Sequence, residues 1–336
     1  ARLGTAYASK FPVFVSRQGN DPGVSQVLEE FGDLVKAINA FEFVDRGQRK
    51  KGFEGGQWTS YYKISQHYAS CLRWMFVTQG FSRVVVLEDD LEVAVDFAPY
   101  FEAMAPIYDS DHTIFCVSGW NDNGMTTVVS DNKNLLRTDV FPGLGWMINK
   151  RLYEELNPKW PLAFWDDWMR EKAQPRGRSC VIPEVNRVYT FGDHGNSVDR
   201  GFWKRYLEPI RLNGDPVQWH KLDLSYIKMP SYANHIAQQI RTASKIGIAE
   251  VNSSPAETRV IVYSGEGDYR TAANTIGIHT DFKNGDPRGS FGHVNLAYVR
   301  GKKTFVVDSR TLDSIRSGRQ DWPYAWAGVA DIVRAG

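Results

Sequence analysis

The 336-residue chain predicts an α/β fold, on three observations. Val84-Val85-Val86-Leu87 is an apolar run without a polar break, the pattern of a strand buried on both faces of a helix-covered parallel sheet. Glu88-Asp89-Asp90 follow with no spacer, at the strand's carboxyl end, the edge where open α/β sheets bind ligands. Strand and helix patterns alternate on the way to this point and beyond it. Three adjacent carboxylates repel one another, and a cation relieves the repulsion. Hard divalent ions prefer oxygen ligands of this kind. A solvated acidic loop after a strand explains the triplet equally well.

Taken in order, residues 1–10 carry no clear element. Phe11 to Ser16 reads as a short strand and Gln18 to Gly23 as a turn. Val24, Val27, Leu28, Phe31, Leu34, Val35 and Ile38 fall at helical spacing and predict a helix over 24–40, with a second strand over 41–44. A basic loop covers 46–56. Ile64, Tyr68, Cys71, Leu72, Met75 and Phe76 mark one apolar face of a helix over 60–79, which Gly80 stops. After the acidic triplet a helix is expected over 92–104 and a strand over 113–118. Phe191 to Gly201 is a loop with three glycines, suited to a movable lid. Beyond about Met229, strand patterns at 259–263, 294–299 and 304–307 alternate with glycine-containing turns, as in a small strand-rich second domain.

Composition sets bounds. A net charge of +1 gives no reason to expect nucleic acid or an anionic membrane as partner. No stretch approaches the roughly 20 apolar residues of a membrane span. The 11 tryptophans fit sugar-stacking platforms, though large core residues are the commoner use. Trp120, Trp146 and Trp165 are the stacking candidates, each read singly as core.

A nucleoside diphosphate sugar is one ligand whose charge would make the triplet useful. Its diphosphate is repelled by bare carboxylates, and a divalent ion held between one carboxylate and the phosphates reverses the sign. A metal-dependent hydrolase or phosphatase would use the same acids.

The segments VVVLEDDLEVAVDF, WNDNG, FPGLGW, WPLAFWDDWMR and PEVNRVYTFG, with SYYKISQHY upstream and LDLSYI downstream, resemble in this order the N-acetylglucosaminyltransferase I family (alpha-1,3-mannosyl-glycoprotein 2-beta-N-acetylglucosaminyltransferases). The likeness is dense over 60–227 and thinner beyond. It implies a GT-A-type nucleotide-sugar-binding sheet with helices on both faces, expected over 1–192, a lid loop and linker over 193–229, and the smaller strand-rich domain over 230–336. It implies an inverting enzyme of the Golgi lumen that needs Mn2+. N-acetylglucosamine (GlcNAc) would pass from UDP-GlcNAc to the 2-hydroxyl of a terminal mannose on a high-mannose N-glycan. By position in the motifs, Asp90 would ligate the metal, Asp89 would hydrogen-bond the ribose, and Glu88 and His67 would contact the donor. Asp166 would be the general base, a helix N-terminal carboxylate being the alternative reading. Leu144 would line the pocket, its flanking glycines allowing a tight backbone path. Ser197 would lie in the lid, with ordinary loop polarity as its competing reading. Cys116 and Cys180 would pair, which fits a secretory lumen, while Cys71 would be a small buried thiol.

The chain departs from the family at its start. The family opens with a strand ending in an Asp-Arg pair and a helix, whereas here only residues 1–10 precede the first strand. The expectation is a chain without that strand, that helix, the stem and the membrane anchor. Where the family has an acid that reads uracil, this chain has Gln18, which can both donate and accept. Two other functions share these features: a related enzyme that adds GlcNAc to O-mannose, and a non-catalytic glycan- or nucleotide-binding protein on a degenerate transferase scaffold. A sugar hydrolase is a third.

Overall fold

The computed structural model describes residues 10–38, 41–193, 199–319 and 322–323. The chain divides into two units, residues 1–84 with 148–168 and residues 85–147 with 169–336. In chain order the elements are β1 (Val13–Val15), α1 (Pro22–Phe31), β2 (Val35–Ala37), α2 (Thr59–Arg73), β3 (Arg83–Val86), β4 (Leu91–Val93), α3 (Phe97–Ser110), β5 (Ile114–Ser118), β6 (Leu135–Thr138) and β7 (Trp146–Asn149). There follow α4 (Lys150–Leu156), α5 (Trp165–Arg170), β8 (Ser179–Pro183), β9 (Val188–Thr190), α6 (Ser231–Thr242), β10 (Ser244–Ile246) and β11 (Thr258–Tyr263). Last come α7 (Glu266–Ile276), the hairpin β12 (Phe282–Lys283) and β13 (Asp286–Pro287), β14 (Val294–Val299), β15 (Lys302–Asp308) and α8 (Ser309–Ser317).

In the first unit β1 and β2 pair in parallel, with Val13 opposite Val35. Asp21 caps α1 by accepting the Val24 N–H at 3.0 Å, and Pro22 opens the helix. The helix expected over 24–40 ends at Phe31, where Gly32 takes a φ of 50°. Val35 and Ile38 share a face only at helical spacing, whereas Val35 and Ala37 alternate about Lys36 as a strand does, and the parallel partner settles the segment as strand. The strand expected over 41–44 reduces to an isolated bridge between Gln18 and Phe41. α2 continues as a wide π-type turn over Trp74–Thr78, and Gly80 stops it with a φ of 73°. Tyr62, Leu72 and Phe76 are buried, whereas Ile64, assigned to the same face, is exposed. The Ser65 hydroxyl donates to the Pro161 carbonyl at 2.7 Å, and Trp160 Nε1 returns a bond to the Ser65 carbonyl at 3.0 Å.

A five-stranded sheet has the order β3-β7-β5-β8-β6. It is mixed, not parallel: β5 runs parallel to β8, while β7 and β6 are antiparallel additions. Every residue of β5 is buried. The Val84–Leu87 run, expected to be covered on both faces, is instead the half-buried edge strand β3, and Leu87 is exposed. An edge position leaves one side of a strand without a neighbour, so an unbroken apolar run did not require a central place. After the acids the chain does not enter a helix at once. Leu91–Val93 forms β4, antiparallel to β9, and the helix starts only at Phe97. Cys116 and Cys180 are joined in a disulfide between the adjacent strands β5 and β8, as the family resemblance implied.

The last part of the second unit carries a four-stranded sheet in the order β10-β11-β15-β14, with three parallel strands and β14 antiparallel. β11, β14 and β15 lie where the sequence put them, β10 was not expected, and α6, α7 and α8 make this part mixed α/β. No helix among the described residues is long and apolar enough to cross a membrane.

Candidate functional site

The residues singled out from the sequence fall in both units. Gln18, His67 and Asp166 belong to the first, and Glu88, Asp89, Asp90 and Leu144 to the second. Ser197 lies outside the described residues.

In the first unit, β1 delivers Ser16 to α2, where its hydroxyl meets His67 Nε2 at 2.7 Å. Phe41 stacks on the His67 ring with centroids 4.9 Å apart and planes 6° from parallel. Burial lowers the His67 pKa, so the ring is neutral at pH 7 and keeps one donor and one acceptor nitrogen. Gln18 is pinned by its backbone bridge to the same Phe41 and its side chain is exposed. The structure therefore brings Gln18 and His67 together through Ser16 and Phe41, two residues to which the sequence reading gave no role. Cys71 is half-buried, and burial raises its pKa. Asp166 stands in the first turn of α5 and is half-buried. Trp165 beside it is buried and stacks on Tyr68 at 4.0 Å, which fixes the start of the helix. Phe164, just before, takes a φ of 54°.

In the second unit the triplet is graded: Glu88 is half-buried, Asp89 exposed and Asp90 half-buried. Asp90 is tied to the end of β9. Its carbonyl accepts the Phe191 N–H at 3.0 Å, and its Oδ2 accepts the Thr190 hydroxyl at 3.2 Å. Asp90 Oδ1 is buried with no hydrogen-bond partner among the described residues. A buried carboxylate oxygen in that state is costly unless a further group meets it. Among the described residues no three His, Cys, Asp or Glu side chains gather to hold a metal. A cation here would have one protein carboxylate and take its remaining ligands from water and phosphate, the usual arrangement for small hard cations at phosphate sites. The residues present fit such an ion.

Leu144 sits in a tight turn whose backbone is held by the sheet. Its carbonyl accepts the Ser118 hydroxyl at 2.9 Å, and the Gly145 carbonyl accepts the Gly119 N–H at 2.7 Å. A Cβ on Gly145 would lie 2.5 Å from Val188 Cγ1, so the close path does require glycine.

The tryptophan candidates are core residues. Trp120, Trp146 and Trp165 are each no more than 4% exposed, which leaves no face for a sugar. The WNDNG acid is structural as well. Asp122 accepts from Trp120 Nε1 and from Arg288, each at 3.2 Å. Burial works to raise its pKa, but the positive surroundings, Arg288 first, bring the net shift down.

These features describe an α/β protein with an acidic strand end that presents one carboxylate oxygen without a partner among the described residues. The chain belongs to the GNT-I family, matching it over residues 5–318. It is similar to the alpha-1,3-mannosyl-glycoprotein 2-beta-N-acetylglucosaminyltransferase of Arabidopsis thaliana, with 39% identity over 308 residues, 90% of this chain and 68% of that protein.

Proposed function

We propose that the chain is an inverting, metal-dependent β-1,2-N-acetylglucosaminyltransferase with a GT-A-type donor domain, acting in the Golgi lumen. It moves GlcNAc from UDP-GlcNAc to the 2-hydroxyl of a terminal mannose on a high-mannose N-glycan, the step that opens complex N-glycan synthesis. The observation that carries the reading is family membership over nearly the whole chain, with the name of the Arabidopsis relative. The Oδ1 of Asp90, without a partner among the described residues, supports a cation at the strand end, and the disulfide supports an oxidising compartment.

Asp90 holds the ion, for which Mn2+ is proposed. When bound, the ion supplies positive charge to the diphosphate leaving group. Asp89 meets the ribose, Glu88 and His67 the donor, and Gln18 the uracil. Leu144 lines the pocket, and Ser197 is a further donor contact. The Asp166 carboxylate accepts the proton of the mannose 2-hydroxyl as that oxygen attacks the anomeric carbon. One C–O bond forms on the face opposite the breaking bond, and UDP departs with the bonding electrons. No enzyme nucleophile is needed.

The test is incubation with UDP-GlcNAc, Mn2+ and a mannose-terminated N-glycan, with products resolved by NMR. Stoichiometric UDP and a new β-1,2-linked GlcNAc on mannose are expected. Free GlcNAc would make the protein a hydrolase, and acceptance of O-mannosyl peptide alone would reassign the acceptor. Tight UDP-GlcNAc binding without turnover would leave a binding protein.

A further inference from the structure

The geometry points to Thr190 and Gly192 as positioning residues that set the Asp90 carboxylate for its cation. This rests on the reading of Asp90 as metal ligand. Thr190 is the last residue of β9 and pairs with Leu91 of β4, so the ladder places it beside Asp90. It is 4% exposed, and its hydroxyl donates to Asp90 Oδ2. The direction of that bond is set from the other side. The Gly192 N–H lies 3.4 Å from Thr190 Oγ1, occupying a lone pair and turning the hydroxyl proton toward Asp90. One carboxylate oxygen is thereby held, and the other, Oδ1, is buried without a partner among the described residues.

Gly192 contributes a second constraint. A Cβ built there would stand 2.2 Å from Asp90 Oδ2 and 3.1 Å from its Cγ. Both distances are below contact, so any side chain at 192 has to push the carboxylate out of its place. Gly192 does not have a positive φ, so its need for glycine is steric and comes from Asp90. Three residues of one segment, Thr190-Phe191-Gly192, thus act on one acid: Thr190 by its hydroxyl, Phe191 by its N–H and Gly192 by having no side chain. Partners that orient a metal ligand typically change metal affinity by about 10- to 100-fold when removed.

The experiment measures Mn2+ affinity directly, in the presence of UDP, from the electron paramagnetic resonance signal of free aquo-Mn2+. Thr190→Val keeps the shape and removes the donor. Its Kd for Mn2+ is expected to rise about tenfold or more, whereas Thr190→Ser keeps the donor and stays within about threefold of the parent. Gly192→Ala, which leaves position 190 untouched, is expected to rise like Thr190→Val. The melting temperature of each variant without Mn2+ separates this from unfolding, because a merely structural role would lower melting and leave the Kd of the folded fraction unchanged. A parental Kd in Thr190→Val and Gly192→Ala, with Mn2+ binding lost in Asp90→Asn, overturns the positioning role alone. A parental Kd in Asp90→Asn overturns the metal reading, and the positioning role with it.

Discussion

Asp96 is the position at which a single neutralising change should do most damage to the fold. It is 1% exposed and accepts four hydrogen bonds: Arg187 Nε at 3.2 Å, Arg187 Nη2 at 3.0 Å and Trp219 Nε1 at 2.8 Å on Oδ2, and Asn213 Nδ2 at 2.8 Å on Oδ1. Arg187 is fully buried, its guanidinium carbon 4.9 Å from the Trp219 ring centroid. Its other acceptors, the carbonyls of Val185 and Asn132, are neutral. Burial pushes the Arg187 pKa down, and the Asp96 charge is what chiefly opposes it. Asp96→Asn keeps the shape, leaves the guanidinium without a counter-charge, and turns a donor toward donors. Breaking a buried pair from one side costs about 3–5 kcal/mol. Urea unfolding followed by far-ultraviolet circular dichroism reads this as a lower midpoint at unchanged slope. Salt should leave the loss intact, because a pair out of solvent is little screened. Asp96→Leu with Arg187→Met should cost less than the sum of those two single changes, since removing both charges avoids the uncompensated one, while Trp219 and Asn213 still lose their acceptor. A cost below about 1 kcal/mol for Asp96→Asn, or strict additivity in the double variant, would refute the reasoning.

His279 is 2% exposed and stacked on Tyr206 at 3.9 Å, and burial, its main cause, lowers its pKa to about 4. A lowered histidine pKa stabilises the fold above the ordinary value near 6.5 and loses that contribution as pH falls toward 4. About 3 kcal/mol should disappear across that window in urea titrations, and much less in His279→Phe. Asp166→Asn should keep UDP-GlcNAc affinity by calorimetry and lose about 10²- to 10⁴-fold in transfer rate, so unchanged turnover would remove it as the base. Replacing both Cys116 and Cys180 with alanine releases a loop of 64 residues, and chain entropy puts the cost near 4 kcal/mol in denaturant titrations.

The parts of the fold that could be read in the sequence are those whose patterns are long or locally closed. α2 was legible from six apolar positions and a stopping glycine, and β11, β14 and β15 from β-branched runs between turns. In the segment from Val35 to Ile38 the pair Val35 and Ile38 has helical spacing and the pair Val35 and Ala37 strand spacing, and only the partner Val13–Val15, elsewhere in the chain, decides between them. β4 is three residues long, too short for any period to show, and its pairing with β9 lies almost a hundred residues away. The acidic triplet and Asp166 stood out as chemistry, but their support did not. Thr190, Ser16 and Phe41 are ordinary residues whose meaning comes from what non-local pairing sets beside them. The tryptophans misled for a related reason, since a ring suited to a sugar face is equally suited to a core.

Asn123 has a consequence for how the family can drift. Its amide oxygen accepts the His279 N–H at 2.8 Å, and its amide nitrogen donates to the Arg288 carbonyl at 3.2 Å and to Asn295 Oδ1 at 3.1 Å. A Cβ on Gly289 would stand 2.6 Å from that nitrogen. Only a side chain with an acceptor and a donor on one carbon serves all three segments of chain, so aspartate fails on the donor side and leucine on both. Positions 123, 289 and 295 are therefore expected to covary, and a sequence library built on this scaffold should vary them as a set.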